Sequence, residues 1–183
     1  MILLIDNRVD INHTAKSSLT DTLINAFPDA LVATASSNTT IPWERVRCIL
    51  LSGSHLRLSE TSDHPVIVFA NSILRQSLRR DIPAFGICFG CQLMAGYIGC
   101  QIASRGRHIP IHRTYSRMTG SVMYFNHYDG IYGLPPGASM AYIHPGPDPF
   151  VVEFRWKKWI GIQWHPEKTD GGIAWLHGIV NTM

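Results

Sequence analysis

Ile82-Pro83-Ala84-Phe85-Gly86-Ile87-Cys88-Phe89-Gly90-Cys91-Gln92 is the stretch that decides the fold. Its apolar run, Ile82 to Ile87, reads as a buried strand, and Leu93, Met94, Tyr97 and Ile98 then fall on one side of a helix. Cys88 therefore occupies a strand-to-helix turn. The turn is tight, and Gly86 and Gly90 remove the side chains that would crowd a nucleophile held at a sharp elbow. The unpaired amides and positive dipole end of the following helix favour thiolate over thiol, so the pKa of Cys88 is expected below that of a free cysteine.

Outward from the elbow, strand and helix alternate. Met1 to Ile5 reads as a strand; Leu19, Leu23, Ile24 and Phe27 recur at helical spacing before Pro28; Leu31 to Thr34 is a second strand. Ser36 to Thr40 is a loop, Cys48 to Leu51 a third buried strand leading straight into Ser52-Gly53-Ser54, and Val66 to Leu78 a helix. The alternation predicts a doubly wound α/β fold, flavodoxin-like, with a mostly parallel sheet and helices on both faces. Sites in such sheets gather at the carboxyl ends of strands, where Ser52-Gly53-Ser54 and Cys88 both fall.

Beyond Gly99 the texture changes to short strand-like pieces: Ser121 to Asn126, Met140 to Ile143, Val151 to Trp156 and Trp159 to Gln163. The last two flank Lys157-Lys158 and are expected to pair antiparallel. Val152, Phe154 and Trp156 alternate with Glu153 and Arg155 as in a half-buried strand. Gly171-Gly172 precedes a terminal helix, Ile173 to Val180. No repeat or linker divides residues 1–183, which read as a single domain.

Composition excludes several classes. With 183 residues and 45% hydrophobic content the chain can bury one sizeable core. No apolar stretch approaches the roughly 20 residues of a membrane span, and Asp6 interrupts the apolar start before it could serve as a signal peptide. A cytoplasmic protein with no membrane partner follows. Cys48, Cys88, Cys91 and Cys100 do not form a secreted disulfide framework, so reduced thiols are expected. A net charge of +3 spread along the chain is too weak to imply nucleic acid. The basic and aromatic segment Arg105 to Arg117 reads as a solvated loop, with a contact surface for a partner subunit or anionic acceptor as the alternative. His108 and His112 are separated by Pro110, which prevents a helix that would align them, so no metal is expected, nor any cofactor.

Cys88-Phe89-Gly90-Cys91 also satisfies C-x-x-C, the spacing of a redox dithiol. That reading leaves Gln163-Trp164-His165-Pro166-Glu167 without a role. Cys91 is then a small buried helix residue and Cys48 a core residue, while Trp156, Trp159 and Trp164 pack against the core or a sheet face.

The elbow and the distal His165-Pro166-Glu167 together resemble the class I, or triad, glutamine amidotransferases, whose motifs read G-x-C-x-G-x-Q and H-P-E. The resemblance covers nearly the whole chain. Leu3-Leu4-Ile5-Asp6-Asn7 is similar to the start of anthranilate and aminodeoxychorismate synthase glutaminase subunits, and Asn126-His127-Tyr128-Asp129 to the glutaminase part of GMP synthetase.

These residue types support a definite chemistry. Cys88 is the expected nucleophile, His165 the proton carrier and Glu167 the carboxylate that orients the imidazole. The backbone amide of Phe89 is one expected oxyanion donor, and Gly53 or its neighbour the other. Relatives commonly carry two adjacent glycines after the third strand where this chain has Ser52-Gly53-Ser54, and Ser54 adopts positive φ less readily than glycine. By resemblance, Gln92 helps bind the glutamine side chain, the segment Asn126 to Asp129, with Asn126, His127 and Asp129, helps hold its α-amino group, and Ser54 adjoins the same site; a packing histidine is the alternative reading of His127. The resemblance implies L-glutamine as substrate and an ammonia-accepting synthase or ligase as partner. A chain of this length is expected to be spent on one glutaminase-like domain, without an acceptor-activating one. Two other readings use the same residues: a γ-glutamyl hydrolase with no ammonia acceptor, and a non-catalytic regulatory relative.

Overall fold

The computed structural model describes residues 1–9, 19–109, 113–115, 122–134, 137–143, 149–169 and 171–183. In chain order the first half contains β1 (Ile2–Ile5), α1 (Leu19–Ala26), β2 (Leu31–Ala33), β3 (Cys48–Leu51), α2 (Pro65–Arg80), β4 (Ala84–Ile87) and α3 (Phe89–Tyr97). The second half adds β5 (Gln101–Ile109), β6 (Arg113–Tyr115), β7 (Val122–Tyr124), β8 (His127–Tyr132), β9 (Ala138–Ile143), β10 (Val151–Trp156), β11 (Trp159–Ile162) and α4 (Gly172–Thr182).

β1, β3 and β4 are buried along their whole length, which requires cover on both faces of the sheet. They lie inside a seven-stranded sheet of order β2-β1-β3-β4-β11-β10-β9. β2, β1, β3, β4 and β11 are mutually parallel, while β10 runs antiparallel to both β11 and β9. The strand period of two divides the core. Leu3, Ile5, Ile49 and Leu51 join Ile67, Ala70, Leu74 and Met94 of α2 and α3 on one face. Leu4, Leu50, Phe85, Ile87 and Ile162 join Leu23, Leu176 and Val180 of α1 and α4 on the other. This is the doubly wound arrangement that the alternation of elements predicts.

α2 begins at Pro65, whose missing N–H costs nothing at a helix start, and the His64 ring nitrogen Nδ1 accepts from the Val66 amide at 3.2 Å. It runs one residue earlier and two later than the apolar pattern, and ends at Asp81 in a left-handed conformation, φ 55°. β10 and β11 pair antiparallel as expected, with Glu153 opposite Ile162.

Two expectations are corrected. In β10 Val152 and Phe154 are buried and Arg155 exposed as the alternation predicts, but Glu153 is 1% exposed, and its Oε1 accepts from Trp164 Nε1 at 2.7 Å. A buried indole donor meets one oxygen of the acid, a partner that alternation alone could not reveal. The segment Arg105 to Arg117 is not simply a loop. Residues 105–109 continue β5, which pairs antiparallel with β8 from Gln101 opposite Tyr132 to Ile109 opposite His127, and residues 113–115 form β6 against β7. Backbone pairing decides these strands, in a stretch too polar to show a hydrophobic period. His112 and Pro110 lie outside the described residues. Among the described residues no helix is long and apolar enough to cross a membrane.

Candidate active site

Cys88 follows β4 directly and caps α3, with φ 51° and ψ −105°, a backbone region that side chains other than glycine rarely enter. The surroundings hold it there. The Cys88 amide donates to the Ile162 carbonyl at 2.8 Å, and the Cys88 carbonyl accepts from the Gln92 amide at 3.0 Å. A Cβ on Gly90 would lie 2.5 Å from the Leu51 carbonyl oxygen, and one on Gly86 would lie 2.5 Å from Met94 Sδ. Only glycines let α3 seat this closely on β3 and β4.

β11 lies beside β4, so the segment leaving it delivers His165 next to the elbow. The His165 amide donates to the Tyr124 carbonyl at 2.8 Å, which fixes the start of the following single-turn helix, Pro166–Lys168. Nδ1 of His165 meets Glu167 Oε1 at 3.1 Å, and Cys88 acts on the same ring electrostatically. With Nδ1 committed to Glu167, Nε2 is the nitrogen left for the sulfur. Both side chains are buried, His165 at 5% exposure and Glu167 at 0%. Burial works against a charged imidazole, but Cys88 and Glu167, by charge and by hydrogen bond, outweigh it and push His165 from 6.5 up to about 10.

The Ser52-Gly53-Ser54 turn comes from the end of β3 and is tied to the end of β1. The Asn7 amide donates to Ser52 Oγ at 3.0 Å, and Asn7 Nδ2 donates to the Ser52 carbonyl at 2.8 Å. Gly53 packs on the imidazole, where an added Cβ would sit 3.2 Å from His165 Cε1 and 3.8 Å from Cys88 Cβ. Neither Gly53 nor Ser54 is among the residues at positive φ. Ser54 Oγ instead accepts from the Leu56 amide at 3.2 Å, closing a local turn. Phe89, whose amide is an expected oxyanion donor, is the first residue of α3.

Cys88 opens on a cavity of about 200 Å³ that Ser54, Gln92, Asn126, His127 and Asp129 also line. This is below the roughly 300–1,000 Å³ of sites for drug-sized ligands and suits a small metabolite. Cys88 Sγ faces the Asn126 carbonyl at 3.8 Å. The Asp129 carbonyl accepts from Gln92 Nε2 at 2.9 Å and from His127 Nδ1 at 2.7 Å. Its carboxylate turns to the loop before α2, accepting from Ser59 Oγ at 2.6 Å and the Ser59 amide at 3.0 Å. The remaining wall consists of His55, Leu56, Arg57 and Tyr128, with the Arg57 guanidinium 4.9 Å over the Tyr128 ring. Sequence reasoning did not single out His55, Leu56 or Arg57, and included Tyr128 only as part of the segment Asn126 to Asp129. His55, Leu56 and Arg57 follow the carboxyl end of β3, and that position was the available signal.

Cys91 and Cys48 are core residues. Cys91 is fully buried, its sulfur lying where a Cβ on Gly161 would come within 2.8 Å, and burial pushes its thiol well up. Burial likewise pushes Cys48 up to about 12. Cys100 is part-buried and unpaired with another cysteine. Among the described residues no cluster of histidine, cysteine and acidic groups could hold a metal ion.

Residues 8–173 match the family model for glutamine amidotransferase class-I. GMP synthase (glutamine-hydrolysing) of Nostoc sp. is 30% identical over 112 residues, covering 54% of this chain and 21% of that protein. GMP synthase of Bradyrhizobium diazoefficiens is 25% identical over 159 residues, covering 75% of this chain and 26% of that protein. The chain thus spans about a fifth to a quarter of the length of these relatives. The crystal structure of a GMP synthase subunit from Thermoplasma acidophilum superposes with a TM-score of 0.71 at 17% identity, over 98% of this chain and 92% of that one. A glutamine amidotransferase from Thermotoga maritima gives 0.65 at 18% identity, over 91% and 75%. Both solved structures share the fold. With its family match running from just beyond β1 into α4, the chain belongs to the class-I glutamine amidotransferases.

Proposed function

We propose that residues 1–183 form a single glutaminase domain that hydrolyses the side-chain amide of L-glutamine and supplies ammonia to a separate synthase. The observation carrying this reading is the convergence of Cys88, at a positive-φ elbow on the mouth of a small cavity, with a buried His165–Glu167 pair. Cys88 thiolate attacks the carboxamide carbon, and the carbonyl electron pair moves onto oxygen. The Phe89 amide, with the amide of Gly53 or Ser54, receives that oxyanion. The C–N bond breaks as His165 gives its proton to nitrogen, and ammonia leaves. Water then attacks the γ-glutamyl thioester while its proton passes to His165, and cleavage of the C–S bond releases glutamate and restores the thiolate. Glu167 keeps the imidazole in one orientation and balances its charge throughout.

Gln92, Asn126, His127 and Asp129 form the wall that receives the amino-acid portion, with Ser54 on the same cavity. The relatives' names make a GMP-synthase-type acceptor the first partner to test. In a reducing cytoplasm the four cysteines remain the free thiols seen here. The test is glutamate release from L-glutamine by wild type, Cys88→Ala and His165→Ala, with and without a candidate synthase. Release by wild type and its loss in both variants support the reading. No release from glutamine but turnover of γ-glutamyl peptides would replace it with a γ-glutamyl hydrolase.

A further inference from the structure

Gln163 adjoins the site and has no part in the chemistry above. It follows β11, is fully buried, and its backbone amide donates to the Val152 carbonyl at 2.7 Å. Its Oε1 accepts from Gln92 Nε2 at 3.3 Å. Its own Nε2 is buried with no acceptor among the described residues.

A backbone atom dictates how both side-chain amides are turned. The Asp129 carbonyl can only accept, so the Gln92 atom 2.9 Å from it is the NH2 nitrogen. That nitrogen carries two hydrogens. The second points to Gln163, which must therefore present oxygen. Gln92 Oε1 is left with no donor among the described residues, on a residue that lines the cavity. Turning Gln92 over would set its oxygen against two acceptors, and turning Gln163 over would set two NH2 groups face to face. The bond to Gln92 is thus the polar work of the Gln163 side chain, since its other end is an unpaired donor that works against stability.

We infer, building on the glutaminase reading, that Gln163 is a positioning residue that locks the Gln92 carboxamide with its acceptor oxygen toward the cavity. The cavity wall at Gln92 then takes a ligand group that donates N–H, an amide or an ammonium, and disfavours a carboxylate. Gln163 touches no substrate and acts only through Gln92.

The test follows inactivation by the diazo-ketone analogue of glutamine, read by intact mass, in wild type, Gln163→Met, Gln92→Met and the double variant. Gln163→Met raises the half-saturating concentration about tenfold, the scale of one lost hydrogen bond, and leaves the limiting rate within about twofold. Its thermal midpoint stays near wild type, because one unpaired donor, on Gln163, is exchanged for another, on Gln92. In the Gln92→Met background the same substitution has no further effect. An unchanged half-saturation, a parallel fall in limiting rate, or the same factor in both backgrounds overturns the inference. If Gln163→Met does not fold, Gln163→Glu, which keeps the acceptor, carries the test: half-saturation near wild type supports the inference and a tenfold rise overturns it. Absence of labelling in the wild type would count against the glutaminase reading instead. Hydrogen exchange of the Gln92 side-chain amide then decides the positioning role, faster by about tenfold in Gln163→Met if Gln163 holds it and unchanged if it does not.

Discussion

The backbone amide of Cys88 donates to the carbonyl of Ile162 at 2.8 Å, so the elbow after β4 is fastened to the end of β11 just ahead of His165. The two strands are parallel neighbours with Ile87 opposite Ile162. Cys88 and His165 therefore leave the same edge of the sheet side by side. Their meeting depends on sheet register, set by the parallel backbone pairing of β4 with β11, rather than on the path of a long loop.

The elbow stores strain. At φ 51° and ψ −105°, Cys88 pays a conformational penalty that glycine escapes. Relief of about 1–3 kcal/mol, less glycine's extra unfolded-state entropy of about 0.5–1, makes Cys88→Gly about 1 kcal/mol more stable than Cys88→Ala. Urea denaturation of the two variants measures the difference. A Gly variant less stable than the Ala variant would mean that the elbow is unstrained.

Gly90 governs how closely α3 seats on β3. Its missing Cβ would meet the Leu51 carbonyl oxygen at 2.5 Å, a backbone atom that cannot swing aside. Gly90→Ala is expected to cost about 1–3 kcal/mol and to slow modification of Cys88 by displacing the elbow. Thermal melting and the labelling rate report the two effects separately.

His165 is expected to stay protonated through neutral pH, with burial opposed and outweighed by Cys88 and Glu167. Cys88→Ala removes part of that support, so the His165 titration moves down; NMR of ring-labelled histidine follows it directly. The stability consequence has a definite sign. A group raised from 6.5 to about 10 on folding adds stability that is fully present below pH 6.5 and is lost as pH rises through about 10. Wild type should therefore lose its advantage over Cys88→Ala across that window, and a constant difference would contradict the coupling.

Asp129 joins β8 to the loop before α2 through both of its bonds to Ser59. Asp129→Ala is expected to lower stability by about 1.5–3 kcal/mol, the range for hydrogen bonds to a charged group. Hydrogen exchange should rise in residues 54–61. A carboxylate whose only role was to meet a ligand's ammonium would leave both readouts of the free protein unchanged.

Legibility in the sequence followed burial. β3 and β10 were readable to the residue, and β1, β2, β4 and β11 to within one or two, because short apolar runs, or in β10 an alternating one, leave few alternatives. β5 was not readable. Arg105-Gly106-Arg107-His108 carries no apolar period, and its strand exists through pairing with distant β8. Glu153 misled in the other direction, since its partner, the Trp164 indole, meets it only across the β10–β11 pair. At the site, Cys88, His165 and Glu167 were marked by local motifs. Ser59 was not, and Asn7 and Gln163, though they stand inside quoted motifs, had no role assigned, because bonds from side chains to backbone and between side chains distant in the chain depend on tertiary geometry that no spacing encodes.

The most direct test of a glutamine-directed nucleophile is the intact mass of the protein after incubation with the diazo-ketone analogue of glutamine, with Cys88→Ala and Cys91→Ala alongside. Cys91 is sealed in the core with a thiol pushed well up by burial, whereas Cys88 faces the cavity. A single adduct that persists in Cys91→Ala and vanishes in Cys88→Ala is the predicted result. An adduct lost equally in both variants, or one retained in Cys88→Ala, would contradict a glutamine-directed nucleophile at Cys88.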